Sequence, residues 1–348
     1  MIDYLIVGQG IAGSFLAWNL VQQNKTVMVM DYQHDQSSSM ISAGIINPIT
    51  GKRFALTPEF DKFYDYARQT YKELEAVFGD QFFEEKPILR CFKTQDEKDH
   101  WQRKEDEGFV DPYYQEVYPP NKFENEMDDA LGSVLLTRSG FCHSQKLLIS
   151  FRNFLSEKNR LRNERVSYDN FEITEAGVKY QGETYGDVIF CEGYQAQFNP
   201  FFDWLPFNSV KGEIMRLEMD GYLNSHILNK GKWAVPLGNN QWAAGSTYIW
   251  DHLDCQSTEQ GKKEILDGLK FIRTEKKVLN HQAAVRPVMQ DQRPVLGRHP
   301  KLSRIHIFNG LGSKGFLMAP YYARRMEKFL VEGVPIEDDV NIDRFNGI

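Results

Sequence analysis

Residues 7–14 read VGQGIAGS, and this stretch limits the possible fold more than any other part of the chain. Tyr4 to Val7 has the pattern of a short buried strand, while Phe15, Ala17, Leu20 and Val21 fall on one face of a helix. Gly8, Gly10 and Gly13, with Ile11 and Ala12 between them, therefore occupy a strand-to-helix junction. A turn without Cβ atoms lets the backbone approach a pyrophosphate, whose charge is held by the free N–H groups and positive dipole of the helix start. A second strand, Thr26 to Met30, ends in Asp31, which puts a carboxylate about 20 residues beyond the glycines and within reach of ribose hydroxyls. The pattern predicts an adenine dinucleotide on a parallel α/β sheet. Nicotinamide and flavin cofactors share this fingerprint, so at this point it separates neither.

The rest of the composition narrows the class. At 348 residues the chain exceeds the size at which one core keeps growing, so two structural domains are expected. Its formal net charge of −7 gives no electrostatic footprint for nucleic acid and suits a small ligand. Nowhere are there about 18 consecutive apolar residues, and the N-terminus enters a strand with no basic segment before it; the expectation is a cytoplasmic protein without a membrane span. Cys91, Cys142, Cys191 and Cys255 are too scattered for a zinc site or a disulfide framework and read as reduced thiols. The eight histidines show no HxH or HExxH spacing, and no metal is expected.

Farther along, Phe60, Phe63, Tyr64, Ala67, Tyr71, Leu74 and Val77 recur at spacings of three and four and predict an amphipathic helix from Pro58 to Phe78. The charged run TQDEKDHWQRKEDEG reads as a solvated helix face, and a further helix is expected from Gly140 to Ser156. Short strands with glycine turns follow, the last of them Val188 to Cys191, and residues 207–250 have strand chemistry with a Gly-Asn-Asn turn, which predicts an antiparallel hairpin in a separate sheet. A helix is expected over Glu259 to Arg273. Near the end, IHIFNGLGSKGF repeats the physics of the opening: Gly310, Gly312 and Gly315 lie between a strand and a helix starting near Phe316. A second set of outward N–H groups suits a larger cofactor whose ring lies far from its adenine, and this shifts the reading to FAD.

Taken in order, VGQGIAGSFLAWNL, SAGIINP, DVIFCEG, VKGEIMRL, VPLGNNQWAAGST, AAVRPVMQDQRPVLGRHP and GLGSKGFLMAP resemble the D-amino-acid oxidase superfamily, and within it the glycine oxidases. The resemblance spans about the whole chain and is weakest over residues 80–135. It implies a Rossmann-like FAD domain of glutathione-reductase type built from residues 1–78, 136–205 and 283–348, with an inserted α+β substrate domain on an antiparallel sheet from residues 79–135 and 206–282. It also implies hydride transfer from the carbon beside an amine to the flavin, followed by hydrolysis of the imine. By position, Arg286 matches the arginine that grips the substrate carboxylate, and a guanidinium fork suits that task through two parallel hydrogen bonds. Asp291 and Arg293 nearby leave open a purely structural ion pair. Trp233 and Tyr248 match residues that line the substrate pocket. Ala43, Gly44, Ile45 and Ile46 match the segment against the flavin, and Cys191 and Gly193 the end of the strand that closes on the nucleotide. Val166 matches a strand whose backbone meets the adenine. Gly312, Ser313, Lys314, Gly315 and Phe316 match the turn beside the flavin's carbonyl edge.

The chain departs from its relatives in three places. Ser313 stands where glycine oxidases carry a second arginine, Gln241 to Gly245 lacks the lysine that sarcosine oxidases use toward oxygen, and Asp31 is one methylene shorter than the usual Glu. The acceptor is therefore oxygen or another oxidant. With no Cys or His in the SAGIINP loop, noncovalent FAD is expected. Competing readings are an oxidase for a carboxymethylaminomethyl-type group of modified transfer RNA, which the acidity disfavours, and a catalytically silent FAD-binding or amino-acid-sensing protein.

Overall fold

A computed structural model describes residues 1–220 and 223–346. Strands β1 (Ile2–Val7) and β2 (Val27–Asp31) flank helix α1 (Ile11–Gln22), and α2 (Phe60–Phe78) and α3 (Ser144–Glu157) follow. Then come β3 (Glu183–Phe190), β4 (Val210–Glu218), β5 (Ile227–Lys230), β6 (Lys232–Gly238), β7 (Gln241–Gly245), α4 (Glu259–Gly268), β8 (Lys277–Arg286), β9 (Ile305–Asn309) and α5 (Gly315–Glu332).

The first sheet has a parallel core in which β1 lies between β2 and β3, Leu161–Asn163 extends it beyond β2, and β9 adds beside β3. The alternation of a strand explains why β1 is apolar throughout: Tyr4 and Ile6 enter the core on the helical side, and Leu5 and Val7 the core on the other. Gly13 lets α1 lie close on this sheet. A Cβ there would stand 1.9 Å from the Gly8 carbonyl oxygen, and one on Gly8, at φ +99°, 2.5 Å from the Cys191 oxygen. The helical side is packed by aromatic edges, with Phe15 against Tyr71 and Phe151. The Tyr71 hydroxyl donates to the Phe316 carbonyl at 2.6 Å, which ties α2 to the start of α5 and fixes the second glycine turn.

The second sheet has the order β8, β4, β7, β6, β5, Ile88–Cys91, Ser133–Leu136, Tyr114–Tyr118. Its pairs are antiparallel except β5 with Ile88–Cys91, which run parallel, so the sheet is mixed and not purely antiparallel as expected. The β6–β7 hairpin turns on Asn239 and Asn240, both at positive φ, as such a tight turn requires.

Three local expectations change. Gly140–Cys142 is a strand, not the first turn of a helix, because it pairs with Ile45–Ile46 and Phe83–Glu85; α3 starts only at Ser144. The helix expected to reach Arg273 ends at Gly268. Val77 is exposed, on the solvent face of α2, while its neighbours Leu74 and Phe78 pack on the core. Among the described residues no helix is long and apolar enough to cross a membrane.

Candidate active site

A cavity of about 700 Å³ opens where the carboxyl ends of β1, β3 and β9 meet the second sheet. The two glycine turns, one near each end of the chain, converge on it. Gly8, Gly10, Ile11, Ala12, Asp31, Val166, Cys191 and Gly193 line one half, and Ala43, Gly44, Ile45, Ile46, Gly312, Ser313, Lys314, Gly315 and Phe316 the other. Trp233, Tyr248 and Arg286 reach the same wall from the second sheet. Gly13 and Gly310 stand behind the wall as packing positions: a Cβ on Gly310 would lie 2.7 Å from Met289 Cγ.

The turns fit an anionic, extended cofactor. Helix α1 has no side-chain cap from Gly10 and no acid in its first turn, and α5 likewise lacks a side-chain cap and an early acid. Both positive helix ends therefore face the cavity without an acid in their own first turn, although at α1 the Ile11 N–H donates to Ser39 Oγ at 3.0 Å and the Gln9 N–H to Asp31. A Cβ on Gly10 would meet Ser39 Oγ at 3.3 Å, close enough that this side chain would have to give by a few tenths of an ångström. These residues fit the pyrophosphate and ring system of FAD.

Asp31 is more constrained than its position in sequence implies. Its Oδ1 accepts the Gln9 N–H at 2.9 Å, and its Oδ2 lies 2.9 Å from Arg152 Nη1 and 3.1 Å from His34 Nδ1. Burial alone would raise its pKa, but His34, the Gln9 N–H and Arg152 outweigh burial and hold the carboxyl below its ordinary range. Gln9 is buried and bridges the turn to α3: its amide donates to Ser14 Oγ and the Leu148 carbonyl and accepts from Arg152. Arg152 carries no local sequence signal, because only the fold brings it 121 positions back to Asp31. Glu192, directly after β3, accepts from the Tyr168 hydroxyl at 2.8 Å and the Asn199 amide at 2.7 Å. Burial pushes its pKa up to about 7. A polar residue at the carboxyl end of a central strand was the available signal for it.

At the other end, Arg286 Nη2 donates to Ser246 Oγ at 2.8 Å, and its guanidinium carbon lies 4.9 Å from the Tyr248 ring centre. The side chain crosses the neighbouring strand over Gly212, where a Cβ would stand 2.1 Å from Nη2. The structural ion pair left open by the sequence is not formed: Asp291 binds Arg344, Arg293 lies by Asp339, and no described carboxylate comes within 4.0 Å of Arg286. Burial lowers its pKa, and a guanidinium still stays charged. Trp233 stands opposite Gly245 in the hairpin register, half-buried on the wall. Lys314 is half-buried, and desolvation lowers its pKa.

Residues 3–328 match the model of a protein family described as FAD dependent oxidoreductase. The structure is similar to that of iminodiacetate oxidase from Chelativorans sp. BNC1, with 20% identity, a TM-score of 0.82 and coverage of 99% of this chain and 98% of that one. It is also similar to glycine oxidase from Bacillus cereus ATCC 14579, with 18% identity, 96% of each chain covered and a TM-score of 0.78. L-α-Glycerophosphate oxidase from Mycoplasma pneumoniae with FAD bound aligns at 15% identity over 94% of each chain, with a TM-score of 0.75.

Proposed function

Because the chain belongs to the family of FAD-dependent oxidoreductases, whose model spans its residues 3–328, we propose that it oxidises the primary or secondary amine of a small amino acid. The observation that carries this reading is Arg286: a half-buried guanidinium, without a carboxylate partner among the described residues, on the wall of a cavity that both glycine turns line. Such a group binds a carboxylate bidentately and fixes the orientation of the carbon beside it. Flavin, when bound, supplies the hydride acceptor. Two similar structures are of oxidases named for glycine and for iminodiacetate, both amino-acid-type amines, which supports the same substrate class.

Each wall residue then has a task in this reading. The N–H groups at Gly10 and Ala12 and at Ser313 and Gly315 hold the cofactor's two ends, those of Ile11, Gly312 and Lys314 already donating to Ser39 Oγ and to the Pro287 and Leu311 carbonyls, while Ala43–Ile46 backs its ring system, and Cys191, Gly193 and Val166 close on its adenosine. Trp233 and Tyr248 shape the space around the amine and limit water there. The acids on the wall are Asp31, Glu164 and Glu192, and no described histidine lines the cavity. The same reading gives the first sheet a glutathione-reductase-type architecture and keeps the division into an FAD domain (1–78, 136–205, 283–348) and a substrate domain (79–135, 206–282). Ser133–Leu136 and β8 run across those limits.

The test is anaerobic reduction. Purified yellow protein is mixed with glycine, sarcosine, iminodiacetate and D-alanine in turn, and the flavin absorbance is followed. Bleaching by at least one amine supports the reading, whatever the natural oxidant. A flavin that stays oxidised with every amine while dithionite reduces it would overturn the reading.

A further inference from the structure

Trp250 stands apart from the other tryptophans. It is 58% exposed, whereas Trp101 and Trp242 are buried and Trp18, Trp204 and Trp233 are at most partly exposed. It is not on a loose segment. Ile249 and Lys211 exchange both backbone hydrogen bonds, at 2.9 and 3.0 Å, which docks residues 248–250 as an extended edge on β4. Farther along, Lys211 Nζ meets Asp254 at 2.5 Å, and the backbone and hydroxyl of Thr258 bind Glu213.

The side of the sheet follows from this pairing. Residues directly opposite each other in an antiparallel pair share a face, and neighbours along a strand alternate. Lys211 points away from the cavity, buried toward Asp254, while Gly212 lies under the Arg286 guanidinium on the cavity face. Ile249 therefore goes with Lys211, and Tyr248 and Trp250 both project on the face of Gly212 and Arg286. Their rings stack, with centres 6.2 Å apart and planes at 27°, and Tyr248 is itself 55% exposed above Arg286. The result is a row from the half-buried guanidinium through Tyr248, on the cavity wall, to Trp250 just beyond it.

We propose that Tyr248 and Trp250 form a shelf at the cavity mouth that holds a flat aromatic substituent of the substrate, on its nitrogen or its side chain, while Arg286 holds the carboxylate. This rests on the amine-oxidation reading above. Two half-exposed rings inclined at 27° offer a face to stack on, and no carboxylate or ammonium is needed to satisfy them. Arg286 already opposes the inner face of Tyr248, so the free stacking surface lies outward, along Trp250.

The test uses the holoprotein and two readouts. Binding of acetate and phenylacetate, which cannot be oxidised as amines, is measured by calorimetry. Reduction by glycine and N-benzylglycine is measured anaerobically by stopped flow. The shelf predicts that phenylacetate binds about tenfold more tightly than acetate, and that Trp250→Ala removes most of this preference while acetate binding is unchanged and Trp250→Phe restores it. N-benzylglycine should show the same pattern in its apparent dissociation constant. An aromatic preference that survives Trp250→Ala, or equal losses for acetate and phenylacetate, would overturn the proposal. So would tighter binding of 4-aminobutyrate than of phenylacetate, which would make the rings a cation site. If no amine bleaches the flavin but phenylacetate behaves as described, amine oxidation fails and the shelf stands.

Discussion

Asp31 Oδ2 lies 2.9 Å from Arg152 Nη1, so the acid at the end of β2 is held from α3 before any cofactor reaches it. Neither partner is far from solvent-free: Asp31 has 9% of its side chain exposed and Arg152 21%. Replacing the carboxylate leaves a guanidinium with its charge uncompensated beside the buried Gln9 network. Asp31→Asn should therefore lower unfolding stability by about 1–3 kcal/mol in urea titrations at neutral pH. The folded pKa is depressed, so the contribution of Asp31 is complete above its unfolded value near 3.8 and is lost as pH falls through the lower folded value. The variant should lack that part of the acid limb. An unchanged midpoint would show that the pair contributes nothing net.

Gly13 and Gly10 look alike in the sequence but should respond oppositely to alanine. A Cβ on Gly13 meets the Gly8 carbonyl at 1.9 Å, a backbone atom that cannot move without parting α1 from β1. Gly13→Ala should reduce stability by several kcal/mol, on the order of other overpacked core substitutions, and yield little folded protein. A Cβ on Gly10 meets only the Ser39 hydroxyl, at 3.3 Å, a side chain that can give by a few tenths of an ångström, and it stands at the turn that lines the cavity. Gly10→Ala should fold with nearly the original Tm as apoprotein and come out pale, with FAD affinity reduced at least tenfold in a fluorescence titration. Equal loss of folding in both variants would refute the division.

This contrast shows what the chain's local pattern can and cannot reveal. Strand, glycine turn and helix leave local marks, so β1, α1, β9 and α5 were legible, and so was the hairpin at Asn239 and Asn240. The convergence of the two turns on one cavity was legible only by the physical likeness of their glycines. Gly140–Cys142 was misread because its strand character comes from partners about 55 and 95 positions earlier, which periodicity does not register. Arg152, Ser246 and Trp250 were missed for the same reason: each acquires its neighbour through the sheet or across helices. The place of Glu192 after β3 was a local signal, but its environment of Tyr168 and Asn199 is tertiary.

Glu192 should give the protein a stability slope that runs against the usual acid limb. Its carboxyl is raised from 4.5 to about 7, chiefly by burial. Below pH 4.5 it is neutral in both folded and unfolded chains and costs nothing. Between 4.5 and about 7 the unfolded chain ionises while the folded one keeps its proton, so stability falls as pH rises, and the loss is complete above that window. Glu192→Gln keeps an acceptor for the Tyr168 hydroxyl and cannot ionise. The variant should match the parent at pH 4 and exceed it by roughly 1–3 kcal/mol at pH 8. Parallel stability curves for the two proteins from pH 5 to 8 would sink the assignment.

The final prediction concerns Arg286. Lysine at this position keeps one positive charge but loses the planar fork, and its shorter reach leaves Ser246 Oγ without its 2.8 Å donor. In the proposed reading the cofactor is held at the glycine turns and along Ala43–Ile46, Cys191, Gly193 and Val166, so Arg286→Lys should purify yellow with unchanged FAD content. Affinity for a carboxylate should fall roughly 10–100-fold, the loss expected when a bidentate, charge-assisted pair becomes a single contact in a buried site. The measurement is the concentration dependence of anaerobic flavin reduction, with acetate binding as the check that needs no turnover. If the variant kept the parent's apparent affinity for both substrate and acetate, the guanidinium would be a structural tie between β8 and the Ser246 turn, and the carboxylate would have to be held elsewhere on the wall.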